Sequence, residues 1–159
     1  VRLDDIRGEL CKDERYRKWI NFYLDQDEKA YYSHTTDLDL WNNLVCQSED
    51  LWPGFLEKIN SYRDESKPVI FECVNILPHL AKRDLVFDGV VLVGSSYEEV
   101  LERNRTHPRW GSTIELQTFE AKEFFLAQRP RYISEAEKYS YSVYKTADEA
   151  FPTVLNRLI

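Results

Sequence analysis

Carboxylates at two places in the chain have the residue types and the setting to do chemistry. Asp4 and Asp5 follow the apolar start at residues 1–3, and Glu72 lies within the apolar run of residues 69–78. A carboxylate at the end of a buried strand is too costly to bury alone, so we expect Glu72 to face a cleft, a metal or a cation. Together, such carboxylates would position or deprotonate a hydroxyl group and hold Mg²⁺ through water.

Each of these side chains also has an ordinary structural interpretation. Asp4 or Asp5 would serve as the N-cap of a helix, because a short side-chain oxygen accepts a hydrogen bond from an amide of the first turn. Glu72 would be solvated and inert if it lies just past the end of its strand. The sequence leaves both interpretations open.

Positive charge is concentrated further along the chain. Arg103, Arg105 and Arg109 (the arginine cluster) surround His107 and Pro108. Guanidinium groups neutralise the equatorial oxygens of a phosphoryl group during transfer, so the cluster suits phosphoryl transfer if it lies near the carboxylates. The alternative is a solvated helix end, since cations near a helix C-terminus are stabilised by the helix macrodipole.

The elements that must position these residues change in type near residue 65. Before that point, apolar residues recur at helical spacing. The spacing predicts helices over about 13–24, from about 37 onward, and over about 49–62. The polar stretch 25–36 between the first two is expected to be a loop.

Beyond residue 65 the pattern favours alternating strands and helices. Runs of β-branched and aromatic residues predict strands at 69–74, 90–93 and 141–144, buried on both faces. Serines followed by a glutamate three residues later begin the predicted helices between and after them: Ser96, Ser112 and Ser134. Strands separated by helices predict a parallel sheet, and ligands bind beyond the carboxyl ends of such strands.

Composition and charge disfavour several classes of protein. The 159 residues are 43% hydrophobic and 31% charged, which is typical of one globular domain. The formal net charge of -7 disfavours nucleic acid and anionic membranes as partners. No apolar run approaches the roughly 18 residues of a membrane span. Scattered cysteines without metal-site spacing, Cys11, Cys46 and Cys73, predict reduced thiols and a cytoplasmic location.

The order of these segments resembles a known family. The D-D-x-R start at residues 4–7, V-I-F-E-C-V-N-I-L-P at 69–78, V-V-L-V at 90–93 and the arginine cluster are similar to a P-loop kinase of the small-molecule type. Members of this kind include 2-phosphoglycerate-kinase-like and nucleotide-kinase-like proteins. The resemblance implies a single α/β domain over 1–159 with a three-layer α/β/α parallel sheet. It also implies a large helical insertion over about 8–66, on the substrate side, and a lid over about 103–115.

The resemblance further implies an activity. Its members transfer a phosphoryl group from ATP, with Mg²⁺, to a hydroxyl of a small molecule. Asp5, or else Asp4, would orient or deprotonate the acceptor, and Glu72 would bind near Mg²⁺. The arginine cluster would form the lid, with Arg103 and Arg109 contacting ATP. The resemblance names neither the acceptor nor the oligomeric state.

Two features depart from the family pattern. Cys73 follows Glu72 where the family favours glycine, and the five glycines never form G-x-x-x-x-G-K-[ST]. That loop cradles phosphates with its amides and a lysine, so tight ATP binding depends on it. The chain starts at Val1 and contains no methionine, and we expect the loop to lie upstream of Val1. The alternative is a non-catalytic binding or regulatory domain with a degenerate kinase fold.

Overall fold

Helices make up most of the structure. The computed structural model describes residues 1–10, 12–22, 27–108 and 111–157. The chain opens with a 3-10 turn over Leu3–Ile6. The α-helices that follow are α1 (Arg7–Leu10), α2 (Glu14–Phe22), α3 (Glu28–His34), α4 (Asp37–Asn60), α5 (Pro78–Asp84), α6 (Tyr97–Thr106), α7 (Ile114–Lys122), α8 (Arg129–Lys138) and α9 (Ala147–Asn156). Within the described ranges, no helix is both long and apolar enough to cross a lipid bilayer.

The N-terminal half contains more continuous helix than the sequence predicts. The loop predicted over 25–36 is wrong, because α3 lies there and Asp27 caps it by accepting a hydrogen bond from the Ala30 amide at 2.7 Å. The two helices predicted after residue 37 are one 24-residue helix, α4. Pro53 lies inside α4 and costs one backbone hydrogen bond, since it has no amide proton for the carbonyl of Glu49.

The three-layer α/β/α parallel sheet predicted for this chain is wrong. Among the described residues, the named strands are β1 (Val90–Leu92) and β2 (Ser142–Tyr144), and they form a two-stranded sheet. Their pairing is parallel, with Val91 opposite Val143, and Val93 donates its amide proton to the Tyr144 carbonyl at 3.0 Å. Helices rather than sheet layers therefore supply most of the framework.

The apolar run at 69–74 accounts for much of this difference. It pairs with the N-terminal segment at a single parallel bridge, Arg2 with Glu72, rather than along a ladder. Its side chains are not buried on both faces: Ile70 is 58% exposed, and Leu92 in β1 is 48% exposed. An apolar run records which residues favour burial, whereas a strand also needs a neighbouring backbone along its length.

One buried cluster links the helical N-terminal half to the short sheet. Its fully buried members on α4 are Leu51, Trp52 and Phe55. Other buried members come from the N-terminal turn, α5, the end of β1 and α8: Leu3, Leu80, Val93 and Tyr132. The cluster thus holds the segments that carry Asp4 and Glu72 against the long helix α4.

The C-terminal half is helical from Ile114 through Lys138. A π-helical segment, Glu123–Gln128, joins α7 to α8, so the helix predicted to begin at Ser134 in fact continues through it. The cap at Ser96 is confirmed, because its hydroxyl accepts from the Glu99 amide at 3.2 Å. The next cap is Thr113, one residue after the predicted Ser112.

Candidate functional site

Backbone pairing places the N-terminal carboxylates beside the Glu72 segment. The Glu72 amide donates to the Val1 carbonyl at 3.0 Å, and its carbonyl accepts from the Leu3 amide at 2.9 Å. Leu3 is completely buried, so the pairing is anchored in the core. The 3-10 turn begins at Leu3, and Asp4 and Asp5 are therefore presented where the two parallel segments end.

The three carboxylates differ in their surroundings. Asp4 is half-buried, and its Oδ1 accepts a hydrogen bond from the Cys73 thiol at 3.3 Å. Glu72 is exposed, and its Oε1 lies 3.4 Å from Nε of Arg2. Asp5 is exposed, and its carboxylate forms neither a hydrogen bond nor an ion pair with another described residue. Of the three, Asp5 is the one available to accept a proton from a bound hydroxyl.

This arrangement fits a divalent cation better than a nucleotide. Mg²⁺ in proteins keeps several waters and is often bound by one or two carboxylates with substrate phosphates, a role that the exposed Glu72 fits. Elsewhere in the described ranges, no group of three or more His, Cys, Asp or Glu side chains lies close enough to hold a metal ion. For ATP, the 159 residues contain no phosphate-cradling glycine loop, so no step below is routed through the nucleotide.

The arginine cluster lies apart from the carboxylates in its contacts. Arg103 and Arg105 are exposed in the last turn of α6, and in this part of the chain neither guanidinium forms an ion pair or hydrogen bond. Their position matches the solvated helix end that the macrodipole favours. Arg109, the third predicted lid residue, is outside the described residues.

A buried amide network supports the site, and the sequence analysis missed it. Asn75 is fully buried, and its Nδ2 donates to Gln47 Oε1 at 3.1 Å and to Ser48 Oγ at 2.9 Å. Its backbone amide lies 3.4 Å from the sulfur of Cys73, the residue that contacts Asp4. The network therefore ties α4 to the segment that positions Asp4. Its sequence signal is a pair of polar residues, Gln47 and Ser48, on the apolar face of a helix.

Replacing Asn75 with alanine is expected to lower the free energy of unfolding by about 2–3 kcal/mol, because two buried acceptors lose their donor. Thermal or urea unfolding measures the change. Asn42→Ala is the matched control, because Asn42 is exposed on the same helix and should be nearly neutral. Equal destabilisation by the two variants would contradict a role for the network.

Glu123 in the π-helical segment carries a perturbed acid. Burial raises the pKa of its carboxyl above the ordinary range, and the negative charge of Asp37 adds to the effect. A raised pKa in the folded state means that folding favours the protonated form. Stability from this group is therefore present at acidic pH and is lost as the pH rises through the raised pKa.

The variant Glu123→Gln should raise the melting temperature at pH 7 by about 1–2 °C, since the buried carboxylate no longer has to be charged. The gain should disappear as the pH falls below the ordinary carboxyl range, where the native glutamate is protonated. Calorimetric melts across that range measure both effects. Glu98→Gln, at an exposed position in α6, is the control, and a gain that is independent of pH would contradict the assignment.

A second group missed in the sequence lies on α8. Arg131, Ser134, Glu135 and Lys138 recur at helical spacing and line a cavity with Trp41. The signal that could have found them is this spacing, which the predicted helix start at Ser134 interrupted. The cavity does not include Asp4, Asp5 or Glu72.

Comparison with protein-family models, with curated proteins and with solved structures finds no match.

Proposed function

We propose that the chain takes part in phosphoryl transfer to a hydroxyl group of a small molecule. The observation that supports this most is the backbone pairing of Leu3 with Glu72, which gathers the carboxylates of Asp4, Asp5 and Glu72 at one place. Carboxylates so placed can orient a hydroxyl and remove its proton, which is the contribution that protein side chains make on the acceptor side of such reactions.

Each carboxylate has a separate role in this proposal. Asp5, which is exposed, accepts the proton of the acceptor hydroxyl. Asp4 is a positioning residue, because its contact with Cys73 holds the turn that presents Asp5. Glu72 contacts Mg²⁺ through water, and Arg2 beside it limits the local negative charge. When bound, ATP supplies the phosphoryl group and Mg²⁺ neutralises the developing charge.

The setting proposed for this reaction is cytoplasmic, with a small molecule as the partner. Cys46 and Cys73 are thiols, which supports a reducing compartment. The net charge of -7 favours neither nucleic acid nor an anionic membrane.

The test is a two-stage screen on the chain. Melting temperatures are first recorded with hydroxyl-bearing metabolites such as sugars, polyols and nucleosides, each with and without ATP and Mg²⁺. Hits are then incubated with ATP and Mg²⁺, and phosphorylated product is followed by ³¹P NMR. Product formation from a hit supports the proposal. Stabilisation by a metabolite without product in any condition would favour a non-catalytic binding domain and overturn it.

A further inference from the structure

The cavity on α8 is separate from the carboxylates discussed above. It has a volume of about 230 Å³, between α4 and α8. Its walls are Trp41 from α4 and four residues of α8: Arg131, Ser134, Glu135 and Lys138. Drug-sized ligands need about 300–1,000 Å³, so the cavity suits a smaller molecule.

The aromatic wall of the cavity is held in place. The ring of Trp41 meets the ring of Tyr132 edge to face, with centroids 5.1 Å apart. Tyr132 in turn donates its hydroxyl proton to the carbonyl of Val74 at 2.8 Å. Trp41 therefore presents a fixed apolar surface against which the carbon skeleton of a ligand can pack.

A buried histidine–carboxylate pair lies at the same wall. Nδ1 of His79 bonds to Oε1 of Glu135, and both side chains are less than one-fifth exposed. Within the described residues, the other oxygen of Glu135, Oε2, is buried without a hydrogen-bond partner. Buried polar atoms almost always have a partner, so Oε2 requires a donor from the occupant of the site.

The opposite requirement comes from the two cations. Arg131 and Lys138 line the cavity, and neither forms an ion pair with another residue in the described part of the chain. Arginine binds carboxylate and phosphate oxygens with a planar fork, and lysine adds a mobile positive charge. The cavity thus combines attraction for an anion with one acceptor for a hydroxyl proton.

From this combination we infer that the cavity binds a small organic anion that also carries a hydroxyl group. The anionic group contacts Arg131 and Lys138, the hydroxyl donates to Oε2 of Glu135, and the carbon skeleton packs on Trp41. His79 is a positioning residue, because its bond to Oε1 fixes the orientation of Glu135. The anionic group is either a carboxylate or a phosphate ester, since the same two cations bind both.

The first test compares matched probes by isothermal titration calorimetry. Lactate is paired with propionate, and glycerol 3-phosphate with propyl phosphate, so each pair differs in its hydroxyl groups. We expect the hydroxyl-bearing member of at least one pair to bind about fivefold more tightly or better, because a hydrogen bond to a charged acceptor is gained. Equal binding within both pairs, or no saturable binding by any probe, would overturn the inference.

The second test assigns the residues. Lys138→Gln should weaken the preferred probe about fivefold, and Arg131→Gln by tenfold or so, as expected for an exposed and a more enclosed charge. Lys122→Gln, an exposed lysine on α7, is the matched control and should leave the dissociation constant unchanged. Equal weakening by Lys122→Gln and Lys138→Gln would reduce binding to the overall charge and contradict the site.

The third test isolates the acceptor. Glu135→Gln should bring the two members of the preferred pair to within about twofold of each other, because the charged acceptor is lost. Binding of the member without the hydroxyl should improve, since a negative charge beside the anion is removed. Melting curves identify any loss of folding, in which case Ser134→Ala with amide NMR shifts at 131–138 replaces this variant. Unchanged discrimination in Glu135→Gln, or unmoved amides at 131–138 on addition of the probe, would overturn the assignment.

Discussion

Replacing Asp5 with asparagine is expected to lower the turnover number for phosphoryl transfer by about 10³-fold, within the range found for general bases. Asparagine keeps the size and shape of the side chain but accepts no proton from the acceptor hydroxyl. Asp5 is exposed and forms no ion pair or hydrogen bond through its carboxylate within the described residues, so folding should be unaffected. The measurement is initial rates by ³¹P NMR on an acceptor found in the screen, with melting curves alongside.

The control for this prediction is Asp64→Asn. Asp64 is also exposed, and it lies in the turn after α4 rather than beside Glu72. Its replacement should change neither the rate nor the melting temperature. An Asp5→Asn protein that retains the native rate would remove Asp5 from the mechanism. A loss of rate in Asp4→Asn alone would transfer the role to Asp4.

Replacing Trp52 with alanine should have the largest effect on folding, a loss of about 4 kcal/mol in the free energy of unfolding. Trp52 is 1% exposed and lies within the cluster that joins α4 to the sheet. Its removal would leave a cavity that a framework of several helices cannot close. For a chain of this length the melting temperature should fall by roughly 10 °C.

Two further variants separate the causes of that loss. The indole Nε1 donates to Oδ2 of Asp84 at 2.6 Å, a carboxylate that also accepts from Arg83 Nε at 2.8 Å. Trp52→Phe removes this hydrogen bond but keeps most of the packing, and should cost about 1–2 kcal/mol. Trp41→Ala, at a half-buried tryptophan of the same helix, should cost less than half as much as Trp52→Ala. Equal losses at both tryptophans would contradict the placement of Trp52 in the core.

Local features of the fold were predictable because they depend on residues close in the chain. The cap at Ser96 needs only a short hydroxyl side chain and the amide of Glu99, three residues later. The helical spacing that predicted α2 depends likewise on one turn after another. Where a local pattern was ambiguous, as at Pro53 and Ser134, the helix continued, because packing on one side offsets a weak interior residue.

The sheet was not predictable to the same degree. The sequence identified the segments of β1 and β2 and the parallel direction of their pairing. It could not show that residues 69–74 meet a neighbour only at Glu72, because pairing requires a second backbone alongside. Continuous apolar runs therefore led to a layered sheet that the structure does not contain.

The sequence alone determined the acidic and apolar segments, the helix caps and the residue types available for chemistry. Only the tertiary structure decided which of those residues meet: Asp4 with Cys73 across 69 positions, and Glu135 with His79 across 56. Spacing along the chain carries no information about such contacts unless the residues share a helix or strand. They form because buried side chains on α4, Leu3 and the segment before α5 pack together, and that packing is a property of the whole chain.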